Sequence, residues 1–395
     1  LEILPYYLPR SEQSRFSNLT YQKDLKEEAY LEEWLPSIPD KEKSFFSSFF
    51  SNRHPIVRCF SPGQTKLFGG HIDIKEILAP SFHCALEEGL TISFQVLPTG
   101  KVEACSFGFP SVICPLEKIS APNISSLEEW ISFSQKTEKP PDWGKFVFAS
   151  ISWLYGKYPS LFLPGLKILV SESTLQPGGV SSSSALVTGL QAGLSHLLKL
   201  DQGELELAEN GFCEYEYCGT RGGCLDHLSI LAGRKNLLTR ITSFPLTYSL
   251  VSFPSFLNLF IFPSGIARTE EANQQMRATI LELRMAKACF LELLGEDPKA
   301  ESSVSFILST FSESQILLAL QKVPSALPSK ILRIMFPEFG KELIQKSYLL
   351  KDRIVYAFAE TARVMEFEKA LKEKNLDKIL SLVKVSQKGD SWKEE

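Results

Sequence analysis

The chain has 395 residues, 44% of them hydrophobic and 22% charged, which is a composition typical of a folded protein with enough length for two lobes. Its 42 lysines and arginines against 46 aspartates and glutamates give a formal net charge of −4, so neither a nucleic acid nor an acidic membrane surface is favoured as a partner. No apolar run reaches the roughly 18 residues of a membrane-spanning helix and no charged-then-apolar leader opens the chain, so we expect a soluble cytoplasmic protein.

The first part of the chain divides into a polar extension and an α+β lobe. Residues 1–44 are polar and carry one helical pattern, Asp24–Trp34, which we interpret as an appended helical segment. From 45 to 244, strand-like runs such as Leu90–Val96 alternate with turns and then give way to helical patterns. The segment 110–142 is rich in Pro, Ser, Glu and Lys, which predicts a surface excursion from this lobe.

A second lobe is predicted over residues 245–395. The break in the pattern at Ser243-Phe-Pro245 places its boundary. The lobe opens with the apolar run Phe256–Phe262 and continues with long helical patterns over 273–294 and 351–374. Together the two lobes predict an α+β protein.

The most informative motif joins an apolar strand to an apolar-faced helix. The strand pattern is Leu166–Glu172, and leucines at 186, 190, 194 and 197 then recur along one helical face. Between them lies the sequence Gln176-Pro-Gly-Gly-Val-Ser-Ser-Ser-Ser-Ala-Leu186. Two glycines let the backbone approach a ligand closely, and the serines fall where free helix N–H groups attract anions. The pattern therefore predicts a phosphate-binding loop, with a flexible serine-rich linker as the alternative.

Two further segments accompany this loop in a fixed order. Upstream lies Ser61-Pro-Gly-Gln-Thr-Lys-Leu-Phe-Gly-Gly-His-Ile-Asp73, and downstream lies Cys213-Glu-Tyr-Glu-Tyr-Cys-Gly-Thr-Arg-Gly-Gly-Cys-Leu-Asp-His227. The three segments together resemble those of the GHMP kinase superfamily of small-molecule kinases, and they resemble the galactokinases within it most. The resemblance covers roughly residues 45 to 390, and three ordered motifs make chance agreement improbable.

The resemblance implies a two-lobed α+β GHMP kinase fold. Its first lobe would be similar to the second domain of ribosomal protein S5, and its second lobe would be a ferredoxin-like α+β domain. The family's third motif, Gly-Gly-x-Gly-Gly, would follow the region that ends at Trp392, where the sequence stops. We therefore expect a second lobe that is truncated or split before that motif, with a degenerate relative that lacks the motif as the alternative.

The resemblance also implies an activity, which is transfer of the γ-phosphoryl group of MgATP to the anomeric hydroxyl of a monosaccharide, galactose or a related sugar. Asp226 would be the base, with a purely capping role as the alternative, and Glu214 with Ser183 would hold Mg²⁺, for which carboxylate and hydroxyl oxygens are suitable ligands. The sugar would contact His71, Asp73 and Gly223. ATP would be held by Pro177, Gly178, Gly179, Val180, Ser181, Ser182, Ser183 and Ser184.

Some positions depart from the family pattern. Gln64, which we place in the catalytic centre, stands where relatives have an arginine that faces the catalytic aspartate, and Lys66 is a candidate substitute for that cation. Gly70 replaces a sugar-contacting glutamate, and Ile74 replaces a tyrosine. We therefore expect a weakened sugar kinase, with a catalytically inactive protein that binds sugar or nucleotide as the main alternative. Another GHMP kinase, such as a mevalonate or homoserine kinase, is a third interpretation, and the oligomeric state stays open.

Overall fold

The structure is a computed structural model that describes fourteen stretches of the chain. These are residues 20–22, 38, 40–51, 53–70, 80–140, 143–161, 163–172, 179–219, 224–243, 245–262, 270–298, 304–337, 343 and 345–390. They form two compact units, one within 1–65 and 84–235 and the other within 66–83 and 236–395. The predicted helix Asp24–Trp34 lies outside the described residues.

The first unit is built on a mixed sheet. Its strands are β1 (Thr20–Gln22), β2 (Val57–Phe68), β3 (Ser81–Val96), β4 (Lys101–Ser106), β5 (Val112–Pro115) and β6 (Leu166–Glu172). They lie in the order β1-β2-β3-β6-β4-β5, and β2 and β3 each also contribute residues to the second unit. Strand β6 is antiparallel to β3 and parallel to β4, whereas β4 and β5 are antiparallel. The strands predicted at Leu90–Val96 and Leu166–Glu172 are confirmed, because alternating apolar residues in both face the core.

Six helices of the first unit lie within the described residues. They are α1 (Asp40–Phe49), α2 (Leu127–Lys136), α3 (Gly144–Lys157), α4 (Ser182–Leu197), α5 (Glu204–Glu209) and α6 (Leu225–Ala232). Helix α4 packs against α3 and α6 on its flanks. Two glycines also bring α4 close to β3: a Cβ atom on Gly189 would lie 2.7 Å from Ile92, and one on Gly193 would lie 2.4 Å from the Phe94 ring. The α4 position is thus set by close backbone packing on the sheet.

Helix α1 packs on the first unit through aromatic side chains. Phe46 and Phe50 are buried in a cluster that includes Ile56 and Leu169, and their rings lie edge to face at 4.9 Å. The predicted boundary between the extension and the first lobe, at 44/45, falls inside this continuous helix. That boundary and the one at 244/245 remain predictions about domains.

The segment 110–142 is more than the predicted surface excursion. It contains β5, which pairs with β4, and helix α2, which begins at an N-cap serine whose side chain accepts a hydrogen bond from the Glu129 N–H. Trp130 on α2 is fully buried, stacks on Tyr217 at 5.6 Å between ring centroids, and donates a hydrogen bond to the Tyr215 carbonyl. The polar composition hid this anchor, since α2 buries only Trp130 and Ser134 and its other residues are half-buried or exposed.

The second unit combines a hairpin with a group of helices. The hairpin strands are β7 (Leu237–Ser243) and β8 (Leu246–Ser252), and β7 also pairs with Ser81–His83 of β3. A small sheet is formed by β9 (Ala326–Pro328) and β10 (Ser347–Leu349). The helices are α7 (Glu270–Leu294), α8 (Val304–Thr310), α9 (Glu313–Lys322), α10 (Ser329–Met335), α11 (Lys351–Lys372) and α12 (Leu376–Asp390). The long helical patterns predicted from residues 273 and 351 are confirmed as α7 and α11.

The core of the second unit lies between α7 and α11. Phe290 and Phe358 pack edge to face at 5.1 Å, and the buried Glu282 carboxylate accepts a hydrogen bond from Arg353 at 2.6 Å. The apolar run Phe256–Phe262 is outside this core and belongs to no helix or strand. Its last residue, Phe262, is 84% exposed. Within the residues that the structure describes, no helix is both long and apolar enough to cross a bilayer.

Candidate functional site

The predicted phosphate-binding loop ends at the first turn of α4. Gly179 has φ 88°, in the left-handed region that glycine tolerates, and a Cβ atom built there would meet nothing within 4 Å. Val180, Ser182 and Ser183 are half-buried and Ser184 is buried, so the loop side of the helix start is partly open to solvent. The loop therefore presents backbone N–H groups where an anion could approach.

Ser181 is the N-cap residue of α4, yet its side chain makes no capping hydrogen bond to its own helix. Its φ of 55° is left-handed, which is uncommon for a residue with a Cβ atom. An N-cap serine ordinarily accepts a hydrogen bond from a backbone N–H two or three residues further along. The Ser181 hydroxyl leaves those N–H groups of α4 without that side-chain partner, as a helix start that receives a phosphate would need.

Strand β2 carries Gln64, which is hydrogen-bonded to this loop. The Gln64 side chain is 3% exposed, and its backbone N–H donates to the Val180 carbonyl at 3.1 Å. Its amide Nε2 donates to Ser181 Oγ at 2.6 Å. A residue that we placed in the catalytic centre from sequence is therefore in contact with the phosphate-binding loop.

The predicted base lies on the other side of the same serine. Asp226 is in the first turn of α6, as predicted, and is half-buried. The Ser181 hydroxyl donates to its Oδ2 at 2.9 Å. The structure thus brings together Gln64, Ser181 and Asp226, which come from a strand, a loop and a helix of the first unit.

Glu214 ends a 3₁₀ turn, Asn210–Glu214, and is buried. Burial and, to a lesser extent, the negative charge of Asp226 raise the pKa of its carboxyl to about 8, and Lys145 opposes the rise. His227 Nε2 lies 3.5 Å from Glu214 Oε1, and burial lowers the pKa of His227 to about 4. Gly211 makes room for this imidazole, since a Cβ atom there would lie 2.4 Å from Nδ1. Two carboxylates and a buried imidazole therefore stand close together next to the loop.

The residues present fit a magnesium ion. No group of three or more His, Cys, Asp or Glu side chains is arranged to hold a metal in the part of the chain that is described. Mg²⁺ does not need such a group, because it keeps several waters and takes one or two carboxylates together with phosphate oxygens. The mutual repulsion of Glu214 and Asp226 is the kind of charge that a divalent cation relieves. Ser183, in the first turn of α4, supplies a hydroxyl at the helix start.

Several predicted site residues lie outside the described residues. These are the loop positions Pro177 and Gly178 and the sugar-contacting positions His71, Asp73 and Gly223. Gly70 is described, and its carbonyl accepts a hydrogen bond from the Tyr356 hydroxyl at 3.1 Å within the second unit. The sugar-binding half of the site therefore stays a prediction.

Three contributors to the site were not expected from the sequence. The Ser181 side chain was assigned only to ATP binding, whereas it also links Gln64 to Asp226. His227 and Lys145 were not assigned to the site, although His227 lies 3.5 Å from Glu214 and the charge of Lys145 lowers the pKa of Glu214. For His227, the only available signal was its position next to Asp226 in the sequence. For Lys145, nothing in the sequence pattern indicated a place in the site.

The chain is similar to known galactokinases in sequence and in fold. No family model matches the chain. Over 311 residues the chain is 24% identical to the galactokinase of Clostridium tetani (strain Massachusetts / E88), covering 74% of this chain and 73% of that protein. Its fold is similar to that of Lactococcus lactis galactokinase complexed with galactose, with a TM-score of 0.59 and 19% identity over 89% of this chain and 78% of that one. The mixed α+β fold predicted by resemblance is thereby confirmed.

Proposed function

We propose that this chain, a galactokinase-like member of the GHMP kinase superfamily, transfers the γ-phosphoryl group of ATP to the anomeric hydroxyl of galactose or a related monosaccharide. One observation carries the proposal: the carboxylate of Asp226 is hydrogen-bonded to the N-cap serine of α4. A proton acceptor is therefore held beside a helix start whose N–H groups suit a phosphate.

The binding of ATP is assigned to the loop. Backbone N–H groups from Gly179 to Ser184 would hold the phosphates, supported by the left-handed φ of Gly179 and the helix start at Ser182. The predicted positions Pro177 and Gly178 would extend the same cradle. Phosphoryl transfer depends mostly on such positioning and on charge neutralisation, because the protein forms no covalent bond with the phosphate.

The proton of the sugar is assigned to Asp226. As the sugar hydroxyl oxygen bonds to the γ-phosphorus, the bond from that phosphorus to the β-γ bridging oxygen breaks and ADP leaves. The hydroxyl proton passes to the Asp226 carboxylate, whose contact with Ser181 fixes its orientation. The products are ADP and a sugar phosphate.

Mg²⁺ is assigned to Ser183 and Glu214. When bound, it would neutralise the charge on the phosphate oxygens. Glu214 is suited to Mg²⁺ because burial and the charge of Asp226 destabilise its ionised form and raise its pKa to about 8. A bound cation would stabilise that ionised form. On the sugar side, His71, Asp73 and Gly223 remain the proposed contacts, because a donor beside a carboxylate suits a polyol.

A second candidate function is supported by Gln64. This residue offers a neutral amide to Ser181, whereas the galactokinase pattern has an arginine at that position. Losing one charged group that stabilises the transition state usually costs on the order of 10² to 10³ in rate. A protein that binds sugar and nucleotide but turns over slowly, or not at all, is therefore the alternative.

A sugar panel tests the proposal. ADP release would be measured with MgATP and each of galactose, arabinose, glucose and mannose, and sugar binding would be measured separately by calorimetry. Asp226→Asn should lower turnover by about 10² to 10⁴ while nucleotide affinity is kept, because the change removes the proton acceptor at constant size.

Asp377→Asn is the matched control, since Asp377 also lies in the first turn of a helix but is exposed on α12. Parent-like turnover in Asp226→Asn would return Asp226 to a capping role. Binding of sugar without turnover by the parent would favour the second candidate.

A further inference from the structure

We propose that Ser181 is the residue that positions Asp226 for the reaction, and that Gln64 acts on Asp226 through the Ser181 hydroxyl rather than directly. The inference rests on the proposed function and goes beyond it. It assigns the Ser181 side chain a task separate from the phosphate contact of the Ser181 backbone.

The conformation of Ser181 is the first observation. Two other helix-capping serines of the chain, Ser126 and Ser312, have φ of −141° and −67°, and each accepts a hydrogen bond from its own helix. Ser181 instead has φ 55° and makes no such bond. The left-handed conformation is disfavoured for a residue with a Cβ atom. The Ser181 hydroxyl forms its hydrogen bonds with Gln64 and Asp226 instead of with α4.

The direction of the two hydrogen bonds is the second observation. Gln64 Nε2 can only donate, so Ser181 Oγ is the acceptor at 2.6 Å. The single hydroxyl proton of Ser181 is then free to point at Asp226 Oδ2, 2.9 Å away. Gln64 is in turn fixed by burial and by its backbone hydrogen bond to Val180. The chain of bonds therefore runs one way, from Gln64 through Ser181 to Asp226.

The consequence concerns the two oxygens of Asp226. Ser181 is the one side chain that donates to this carboxylate among the residues with described positions. With Oδ2 occupied, Oδ1 is the oxygen left to take the substrate proton, and the carboxylate is held against rotation about its χ2 torsion. A hydrogen bond to a charged group is stronger than one between neutral groups, so this contact is a substantial restraint.

Two substitutions at Ser181 separate the hydroxyl from the backbone conformation. Ser181→Gly removes the hydroxyl but accepts φ 55° without strain, whereas Ser181→Ala removes the hydroxyl and keeps the strain. Both should lower kcat by about 10- to 100-fold. The KM values for ATP and sugar should change by less than about twofold, because the backbone N–H groups of the loop remain. Parent-like kcat in Ser181→Gly would overturn the inference.

A double-mutant cycle tests the order of the chain. Gln64→Met removes the donor at similar length, and its effect on kcat would be measured alone and in the Ser181→Gly background. If Gln64 acts through Ser181, Gln64→Met should lower kcat several-fold alone and by less than about twofold in that background. Equal effects in the two backgrounds would overturn the proposed order.

Ser126→Gly serves as the control, since it removes an N-cap serine that caps its own helix, and its kcat should match the parent. Circular dichroism and thermal unfolding confirm that each variant is folded. A parent without turnover on any sugar would overturn the proposed function and this inference together. An active parent with unaffected Ser181 variants would overturn the inference alone.

Discussion

Replacing Glu214 by glutamine should stabilise the protein at pH 8 and leave its stability nearly unchanged at pH 5. The pKa of the Glu214 carboxyl is raised from its ordinary 4.5 to about 8, chiefly by burial and then by the charge of Asp226. Between these two values the unfolded chain releases a proton that the folded protein retains. The free energy of unfolding therefore falls as the pH rises from 4.5 to 8, and the contribution of protonated Glu214 is fully present only below that window.

The magnitude follows from the two pKa values. A difference of one in pKa corresponds to about 1.4 kcal/mol, so the change from 4.5 to about 8 makes the parent less stable by on the order of 3 kcal/mol between pH 5 and pH 8. Glutamine has nearly the same shape and never ionises, so this loss should be absent from the variant. For a unit of this size the difference corresponds to roughly 6–12 °C in Tm at pH 8.

The assay is urea or thermal unfolding of the parent and Glu214→Gln at intervals from pH 5 to pH 8.5, without nucleotide or divalent cation. The lowered pKa of His227, about 4, makes the protein lose stability as the pH falls below 6.5. Because His227 lies 3.5 Å from Glu214, the slopes of the two proteins are compared above pH 7, where this contribution is small. Glu117→Gln, at an exposed position, is the control and should run parallel to the parent. If Glu214→Gln also runs parallel to the parent, the carboxylate is not held protonated and the reasoning fails.

Three further predictions concern the loop, the catalytic centre and the helix behind them. Gly179→Val should abolish binding of MgATP or an unreactive analogue, measured by calorimetry, because a β-branched residue is strained at φ 88°. The control is Gly203→Val, which should bind like the parent because Gly203 lies in open space and has no positive φ. Gln64→Arg should raise sugar phosphorylation by bringing a positive charge to the catalytic centre, and unchanged or slower ADP release would count against that role. Gly193→Ala should destabilise the protein by about 1–3 kcal/mol in urea unfolding, because its Cβ atom would lie 2.4 Å from the Phe94 ring, and parent-like stability would mean that the ring moves freely.

Local patterns were enough to predict the elements that hold the site. Strand β6 and helix α4 were predicted from alternation and from leucines at helical spacing, and Asp226 was placed correctly in the first turn of α6. In these elements the hydrophobic period and the turn residues agree with the final structure. The fold followed from three motifs that resemble a known family, and comparison with a galactokinase structure confirmed it.

Other features depend on contacts between residues far apart in sequence. The hydroxyl of Ser181 accepts a hydrogen bond from Gln64, 117 positions earlier, and donates one to Asp226. The burial of Trp130 depends on Tyr217, on the other side of the phosphate-binding motif. Neither contact leaves a periodic signal in the sequence. The contact of Ser181 with Gln64 was therefore missed, and without the contact of Trp130 with Tyr217 the packed helix α2 was interpreted as part of a surface excursion.

The exposed run Phe256–Phe262 has a practical consequence for handling this protein. Its seven residues carry no charge, no proline and no glycine, and most are strongly β-forming. Segments of this kind associate edge to edge between molecules when they are accessible, and Phe260 and Phe262 are 72% and 84% exposed. We therefore expect loss of material on concentration to follow second-order kinetics and to begin from the folded protein, well below the temperature at which either unit unfolds.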